Sequence, residues 1–196
     1  MNWLSPVTLA GTHATLVPLS EDLVPGLVDA ARDGHLWQLW YTAVPSPDAM
    51  AATVTQLLRH RDAGTVLPFA VLDPHGVPVG MTRMMNLDPV HRRLEIGGTW
   101  YAARVQRSAL NTECKRLLLG HAFEQQDCIA VEFRTHRLNH QSRRAIERLG
   151  AQLDGILRNH QRTADGNLRD TAVYSITADE WPTVRAHLDW QLAKPR

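Results

Sequence analysis

The chain has 196 residues, 44% of them hydrophobic and 21% charged, with a formal net charge of +1. That length suits one domain, expected to span residues 1–196, which buries roughly 70% of its unfolded surface and needs no disulfide or metal to fold. The near-neutral balance gives no long-range pull on nucleic acid or membrane, no nucleic-acid reader motif is recognisable, and no apolar run approaches the roughly 20 residues that span a bilayer.

The two cysteines, Cys114 and Cys128, form no spaced pair of a redox or metal motif. Met1 to Pro6 is too short and Pro-broken for a secretory core, so both thiols are expected to be buried and reduced in the cytoplasm. Ten histidines raise the question of a metal. They fail the spacing test: there is no H-E-x-x-H and no Cys/His cluster. His136 and His140 fall at the end of a strand and the start of a helix, not on one helix face. No metal is expected.

In chain order, Ala14 to Leu19 has the β-branched and apolar look of a strand, and Ser20 is placed to cap a helix running to Ala31. Gly34 to Pro47 is aromatic and irregular, with Trp37, Trp40 and Tyr41. Met50, Val54, Leu57 and Leu58 recur at helical spacing within Asp48 to Arg61, and Gly64 ends that helix. Leu67 to Leu72 and Val77 to Met85 read as strands joined by the turn Asp73-Pro74-His75-Gly76, and Arg93 to Tyr101 follows after Asp88-Pro89. These three make an antiparallel meander.

A polar loop, Ala102 to Leu110, feeds a helix from about Asn111 to Gln126 whose apolar stripe is Leu110, Cys114, Leu117, Leu118 and His121 or Ala122. Ile129 to Thr135 is a strand reached by a helical crossover, hence parallel to the third strand of the meander. Asn139 caps a helix ending at Leu149-Gly150. Ala151 to Thr163 and Leu168 to Ile176 form a hairpin around Ala164-Asp165-Gly166-Asn167. A last helix is expected from Asp179, with Pro182 at its third position, where the missing N–H has no partner to lose. This order predicts an α/β (α+β) fold: a mixed, mostly antiparallel sheet with helices on both faces.

Two features carry chemistry. Gly97 and Gly98 would weaken an ordinary strand and mark a bulge or the close approach of a ligand. Gln106-Arg107-Ser108-Ala109-Leu110-Asn111 then opens a helix, and a loop feeding a helix N-terminus offers unpaired N–H groups and a positive dipole end to an anion. The dipole alone contributes only about 0.3–1 kcal/mol, so a diphosphate would be held chiefly by the N–H groups. An ordinary N-capped amphipathic helix is the alternative.

The chain resembles the GNAT superfamily of N-acetyltransferases, in its ribosomal-protein-N-terminal-acetyltransferase-like (RimJ/RimL-like) branch, from about Leu9 to Leu188. The resemblance rests on Leu94-Glu95-Ile96-Gly97-Gly98-Thr99-Trp100, Asn111-Thr112-Glu113-Cys114-Lys115, Val131-Glu132-Phe133-Arg134-Thr135, and Asn139-x-x-Ser142 ending at Leu149-Gly150. The hairpin from Asp154-Gly155-Ile156-Leu157-Arg158 to Asp165-Gly166-x-x-Arg169-Asp170 and the closing Glu180-Trp181-Pro182 complete it. It departs from the family's phosphate loop, Q/R-x-x-G-x-G/A, in having Ala109 and Asn111 where small glycines are usual.

The resemblance implies acetyl-CoA as co-substrate, lying where two strands splay apart, with the pantetheine arm against Thr99, Trp100 and Tyr101. It places the diphosphate on Gln106 to Asn111, with Lys115 one turn further as a phosphate candidate. Asn139 would contact the coenzyme and Ser142 would lie near the thioester sulfur and protonate it. By position alone these two are a helix cap and its first turn. Glu95, on the strand that lines the cleft, is the best carboxylate for a general base; a structural ion pair with Arg93 or Arg83 is the competing reading. The branch can carry a glutamate base on the first hairpin strand, where this chain has Asn159-His160-Gln161, leaving His160 as a second candidate.

Two arginine groups, Arg143/Arg144/Arg148 and Arg158/Arg162/Arg169, read as solvated faces or as partners for the coenzyme 3′-phosphate or an acidic acceptor. The expected partners are acetyl-CoA and an amine, either a protein N-terminus or a small amine such as an antibiotic, polyamine or amino acid; a non-catalytic acyl-CoA sensor is a further alternative. A terminal α-amine with a pKa near 7.8 is roughly one-seventh neutral at pH 7, whereas a lysine is about 0.04% neutral, a further cost of roughly 3.5 kcal/mol. A site with a poor base therefore suits an α-amine. Monomer and homodimer both stay open.

Overall fold

The computed structural model describes residues 3–163 and 165–194. Its centre is an eight-stranded sheet in the order β1-β2-β3-β4-β5-β6-β8-β7. The strands are β1 (Leu9–Ala10), β2 (Thr15–Pro18), β3 (Leu67–Leu72), β4 (Pro78–Asp88), β5 (Arg93–Tyr101), β6 (Ala130–His136), β7 (Gln152–Arg162) and β8 (Leu168–Thr177). Every neighbouring pair is antiparallel except β5 and β6, which are parallel as the helical crossover between them requires.

Five α-helices flank the sheet: α1 (Val24–Arg32), α2 (Met50–Asp62), α3 (Leu110–Gly120), α4 (His140–Glu147) and α5 (Trp181–Ala193). One face is covered by α1 and α2, where Leu27, Met50 and Val54 pack on Ala70, Met81 and Trp100. The other holds the larger core, in which Cys114 and Leu118 of α3 and Val184 and Leu188 of α5 meet Phe69, Ile96, Val131 and Tyr174. Side chains alternate between these faces along each strand, so one strand serves both cores. No helix among the described residues is long and apolar enough to cross a membrane. Both cysteines are buried and free.

Several expected boundaries moved: α2 starts at Met50 instead of Asp48, β4 runs on to Asp88, and the ends of three helices shifted for identifiable reasons. The first helix does not start at Ser20, whose hydroxyl makes no cap; Glu21–Leu23 forms a 3₁₀ turn and α1 begins at Val24. Pro25 explains this, because it cannot donate to the carbonyl four residues back and so occupies the first turn. The helix after the polar loop narrows to α3 and then widens into a π-type turn over His121–Gln125, with Gln126 donating to the His121 carbonyl. The last helix starts at Trp181 instead of Asp179, which puts Pro182 in its second position, still among the donors that need no partner. In the hairpin turn Gly166 has φ +85°, and Ala164 lies outside the described residues.

The α3 stripe buries Leu110, Cys114, Leu118 and Ala122 as the periodicity requires. It also buries two charged residues, Glu113 and Lys115. The Glu113 carboxylate accepts backbone N–H bonds from Thr12 at 3.0 Å, from His13 and from Ala14 at 2.8 Å, closing the turn between β1 and β2.

Candidate active site

The pairing of β5 with β6 runs from Arg93↔Ala130 to Glu95↔Glu132 and stops there. Beyond that point β6 stays paired with β8 to its last residue, His136↔Thr171, while β5 turns away. Gly97 and Gly98 make the divergence: the β4–β5 register shifts opposite them, and Gly98 sits at φ +57°. A Cβ on Gly98 would stand 2.6 Å from Arg83 Nε, which can shift, so it is the left-handed conformation that favours glycine there.

The separated strands enclose a cleft of about 1010 Å³ lined by Ile96 to Tyr101 on one side and Phe133 to His136 on the other. Leu36, Leu39, Tyr41, Thr42 and Val44, with the start of α3, the α4 helix and the end of α5, complete the lining. On the β5 side the backbone from Ile96 onwards has lost its neighbouring strand.

At the α3 end the chain is held by its own polar groups. Gln106 Nε2 donates to the Tyr101 carbonyl at 3.0 Å. Ser108 Oγ donates to Val105 O at 2.6 Å and accepts the Leu110 N–H at 3.2 Å. Arg107 is left-handed, at φ +59°. The backbone N–H groups of Arg107, Ser108, Ala109 and Asn111 find no acceptor among the described residues. The loop therefore aims several donors outward at a helix N-terminus, the arrangement that holds anions. Gln106, Arg107, Ser108 and Asn111 line the cleft, whereas the side chains of Ala109 and Leu110 are buried behind it, so those two can offer only backbone.

Lys115 lines the cleft but does not reach toward that loop. Its ammonium passes under β5, 2.8 Å from Thr99 Oγ1 and 3.4 Å from Thr82 Oγ1. Burial with no carboxylate beside it pulls its pKa down to about 8. The two threonines hold the ammonium, while the residue still lines the cleft.

On α4, Asn139 Oδ1 accepts the Ser142 N–H at 3.0 Å. The cap leaves the Asn139 amide nitrogen and the Ser142 hydroxyl at the cleft, which both residues line. Cap and ligand contact are thus compatible roles for Asn139. Arg144 and Arg148 line the same wall, while Arg143 turns away to donate to the Tyr174 hydroxyl at 2.7 Å.

Glu95 is 6% exposed and lies just behind the cleft floor. Its Oε2 accepts from Asn86 Nδ2 at 2.7 Å and stands 3.6 Å from Arg134 Nε. The ion pair sequence reasoning assigned to Arg93 or Arg83 is thus with Arg134; Arg93 pairs with Glu132 at 2.9 Å. Oε1 carries no such bond and faces Gly97. Burial raises the Glu95 pKa above the ordinary carboxylate range, against the opposing pull of Asn86 and Arg134. A carboxyl raised toward neutrality is what general base work requires.

His160 is elsewhere. It sits on β7 past an irregular stretch that breaks the β7–β8 register between Leu157 and Gln161, and its Nδ1 lies 3.1 Å from Thr171 Oγ1. It is exposed and is not among the residues lining the cleft. The residues that sequence reasoning did not single out are Arg134 and His136 on β6. With Glu132 they alternate on one strand face, and that period was the available signal. Arg158 and Arg162 are exposed, whereas Arg169 lines the cleft. No Asp or Glu lines it, and among the described residues no group of three or more His, Cys, Asp or Glu side chains could hold a metal ion.

Residues 13–152 match the family model described as "Acetyltransferase (GNAT) domain". The chain belongs to the GNAT acetyltransferases. A Bacillus subtilis (strain 168) protein named "Putative ribosomal N-acetyltransferase YdaF" is 32% identical over 102 residues. That match covers 52% of this GNAT chain and 55% of the relative, so about half the length of each. A GCN5-related N-acetyltransferase from Brucella melitensis superposes with a TM-score of 0.86 at 26% identity, covering 97% of this chain and 87% of that one. Mycobacterium smegmatis RimJ, solved in complex with CoA-disulfide, has the same fold at 21% identity, with a TM-score of 0.80 and 95% of both chains covered. The acetyltransferase fold expected from the sequence is the one observed.

Proposed function

We propose that the protein transfers an acetyl group from acetyl-CoA to a primary amine by direct attack of the amine on the thioester, and that it does so in the cytoplasm. The observation that carries this reading is the parting of β5 from β6 at Glu95 and Glu132, which leaves an unpaired strand edge running from the buried carboxylate toward a loop of free N–H groups.

The chemistry of the two ends fits the donor. Four N–H groups without acceptors, together with Arg107, Arg144, Arg148 and Lys194 around the cleft, suit a diphosphate and a further phosphate. The bare edge of β5 from Ile96 to Tyr101 offers hydrogen-bonding groups at the spacing of an extended amide-bearing arm. The bound thioester supplies an activated acyl carbon and a thiolate leaving group. This chain's own residues do the proton work. Glu95 Oε1, reached past Gly97, takes a proton from the acceptor ammonium directly or through one water, which frees the neutral amine to attack. Unpaired N–H groups of β5 stabilise the developing oxyanion. Ser142, in the first turn of α4, donates to the departing sulfur. His160 is not proposed as the base, because its ring is committed to Thr171 and away from the cleft.

The carboxylate is a weak base for a lysine side chain, whose amine is protonated at pH 7, and adequate for an α-amine. The name of the B. subtilis relative, a ribosomal N-acetyltransferase, supports a ribosomal protein as the source of the amine. Binding is tested without any acceptor: acetyl-CoA should stabilise the protein against heat, with desulfo and dephospho fragments only partly effective. No shift at millimolar acetyl-CoA would sink the proposal.

A further inference from the structure

We propose that the acceptor amine carries a carboxylate, which Arg169 and His136 bind at the β6–β8 side of the cleft; this deepens the proposed acetyl transfer and rests on it. The charged lining of the cleft is basic throughout, with Arg107, Arg144, Arg148 and Lys194 grouped at the α3–α5 end, Lys115 under β5, and Arg134 and Arg169 on the strands; the carboxylates of Glu95 and Glu132 lie outside that lining, against Arg134. The first group answers to the coenzyme phosphates. The second lies on the strands instead and needs another explanation.

Arg134 is already satisfied, by Glu132 at 2.7 Å and Glu95 at 3.6 Å. Arg169 is not. It is part-buried, its Nε is shielded from solvent without a hydrogen-bond partner, and it forms no ion pair among the described residues. A shielded guanidinium N–H without an acceptor is unfavourable unless something brings one, and the Glu95 charge offsets only part of the cost of burying Arg169. Its neighbour in the lining, His136, completes a receptor. His136 Nδ1 accepts the Leu138 N–H at 3.0 Å, so the neutral ring carries its proton on Nε2 as a donor. Burial, seconded by the Arg169 charge, keeps that ring neutral. The Trp40 ring packs edge-on at 5.0 Å and fixes the imidazole plane. A guanidinium fork beside an imidazole N–H matches a carboxylate, and the basic lining repels polyamines and polycationic antibiotics.

Two sources of that carboxylate are distinguishable: an acidic side chain near a peptide N-terminus, or the α-carboxylate of a free amino acid. The test measures kcat/KM in matched pairs, corrected for the neutral fraction of each amine. One pair is a tripeptide amide with glutamate at its second position against the glutamine version; the other is alanine against alaninamide. The carboxylate member should win by tenfold or more in one pair. Arg169→Gln should bring that ratio to about one, acting through KM, and Arg169→Lys should restore part of it. Ratios near one in both pairs for the wild type, or an unchanged ratio in Arg169→Gln, would overturn the proposal. If no amine is turned over, the acetyl-transfer reading fails separately. The anion site is then read by titrating the same pairs into the CoA-saturated protein: preference dependent on Arg169 supports it, and equal or absent binding overturns it.

Discussion

A Cβ added at Gly97 would stand 2.8 Å from Glu95 Oε1 and 3.1 Å from Met85 Sδ. The carboxylate is therefore presented to the cleft floor through the space a side chain at position 97 would fill. Gly97→Ala should push Glu95 off its position between Asn86 and Arg134 while leaving the sheet folded. A displacement near 1 Å at a reacting group costs up to about 100-fold, so turnover should fall at least about tenfold at unchanged acetyl-CoA affinity. Steady-state kinetics with a thermal melt checks both halves.

Glu95→Gln keeps the shape and the Asn86 contact but removes the base. A base works when deprotonated, so wild-type activity should rise with pH through the Glu95 pKa, and burial places that inflection above the ordinary carboxylate range. The variant should lose about 10²–10⁴-fold near neutral pH and keep only the dependence set by the amine's own ionisation. A loss below about tenfold would return Glu95 to a purely structural ion pair.

Ser142→Ala should lower turnover while acetyl-CoA binding stays within about twofold, because the Asn139 cap uses the Ser142 backbone N–H and survives the change. Calorimetric titration with acetyl-CoA beside kcat separates the two effects. Equal loss of affinity and rate would mark the hydroxyl as a ligand contact and not a proton donor.

Lys115 makes a different kind of prediction. Its folded pKa is about 8 against an unfolded value near 10.5. Between those values the unfolded chain binds more protons, so this group's contribution to stability rises with pH across that window and is unfavourable below it. The difference corresponds to about 3 kcal/mol at neutral pH, part of which the Thr82 and Thr99 bonds return. Lys115→Met should therefore raise the unfolding free energy at pH 7 by about 1–3 kcal/mol and flatten its rise between pH 8 and 10.5. Chemical denaturation across that range measures it; the difference from wild type cancels Cys128, and a Cys114→Ala background removes the one buried thiol that feels the Lys115 charge.

Much of this was legible where the signal was local. The turn Asp73-Pro74-His75-Gly76 and the Asp88-Pro89 break placed Leu67–Leu72 and Arg93–Tyr101 to the residue, and the crossover logic made β5 and β6 parallel. Gly97-Gly98, the loop before α3 and the Asn139–Ser142 turn stood out because each breaks or caps an element. Glu113 was opaque, since its partners at Thr12 to Ala14 lie about a hundred residues away in sequence. So was Lys115, whose helix position said nothing of the two threonines under β5. Arg169 was visible only as one of a group of three arginines, and pairing on β8 singled it out, while His136 became a candidate only once β8 lay beside β6. Side chains gathered by long-range packing leave no spacing to read.

The central claim is that this cleft moves an acetyl group onto an amine. Its most direct measurement is free-thiol release from acetyl-CoA across a panel of N-terminal peptides and small amines, with mass spectrometry of the acceptor. The expected result is thiol release matched by an acetyl group on an α-amine, lost in Glu95→Gln. Binding of acetyl-CoA without thiol release from any acceptor would contradict the claim and leave a non-catalytic acyl-CoA sensor in its place.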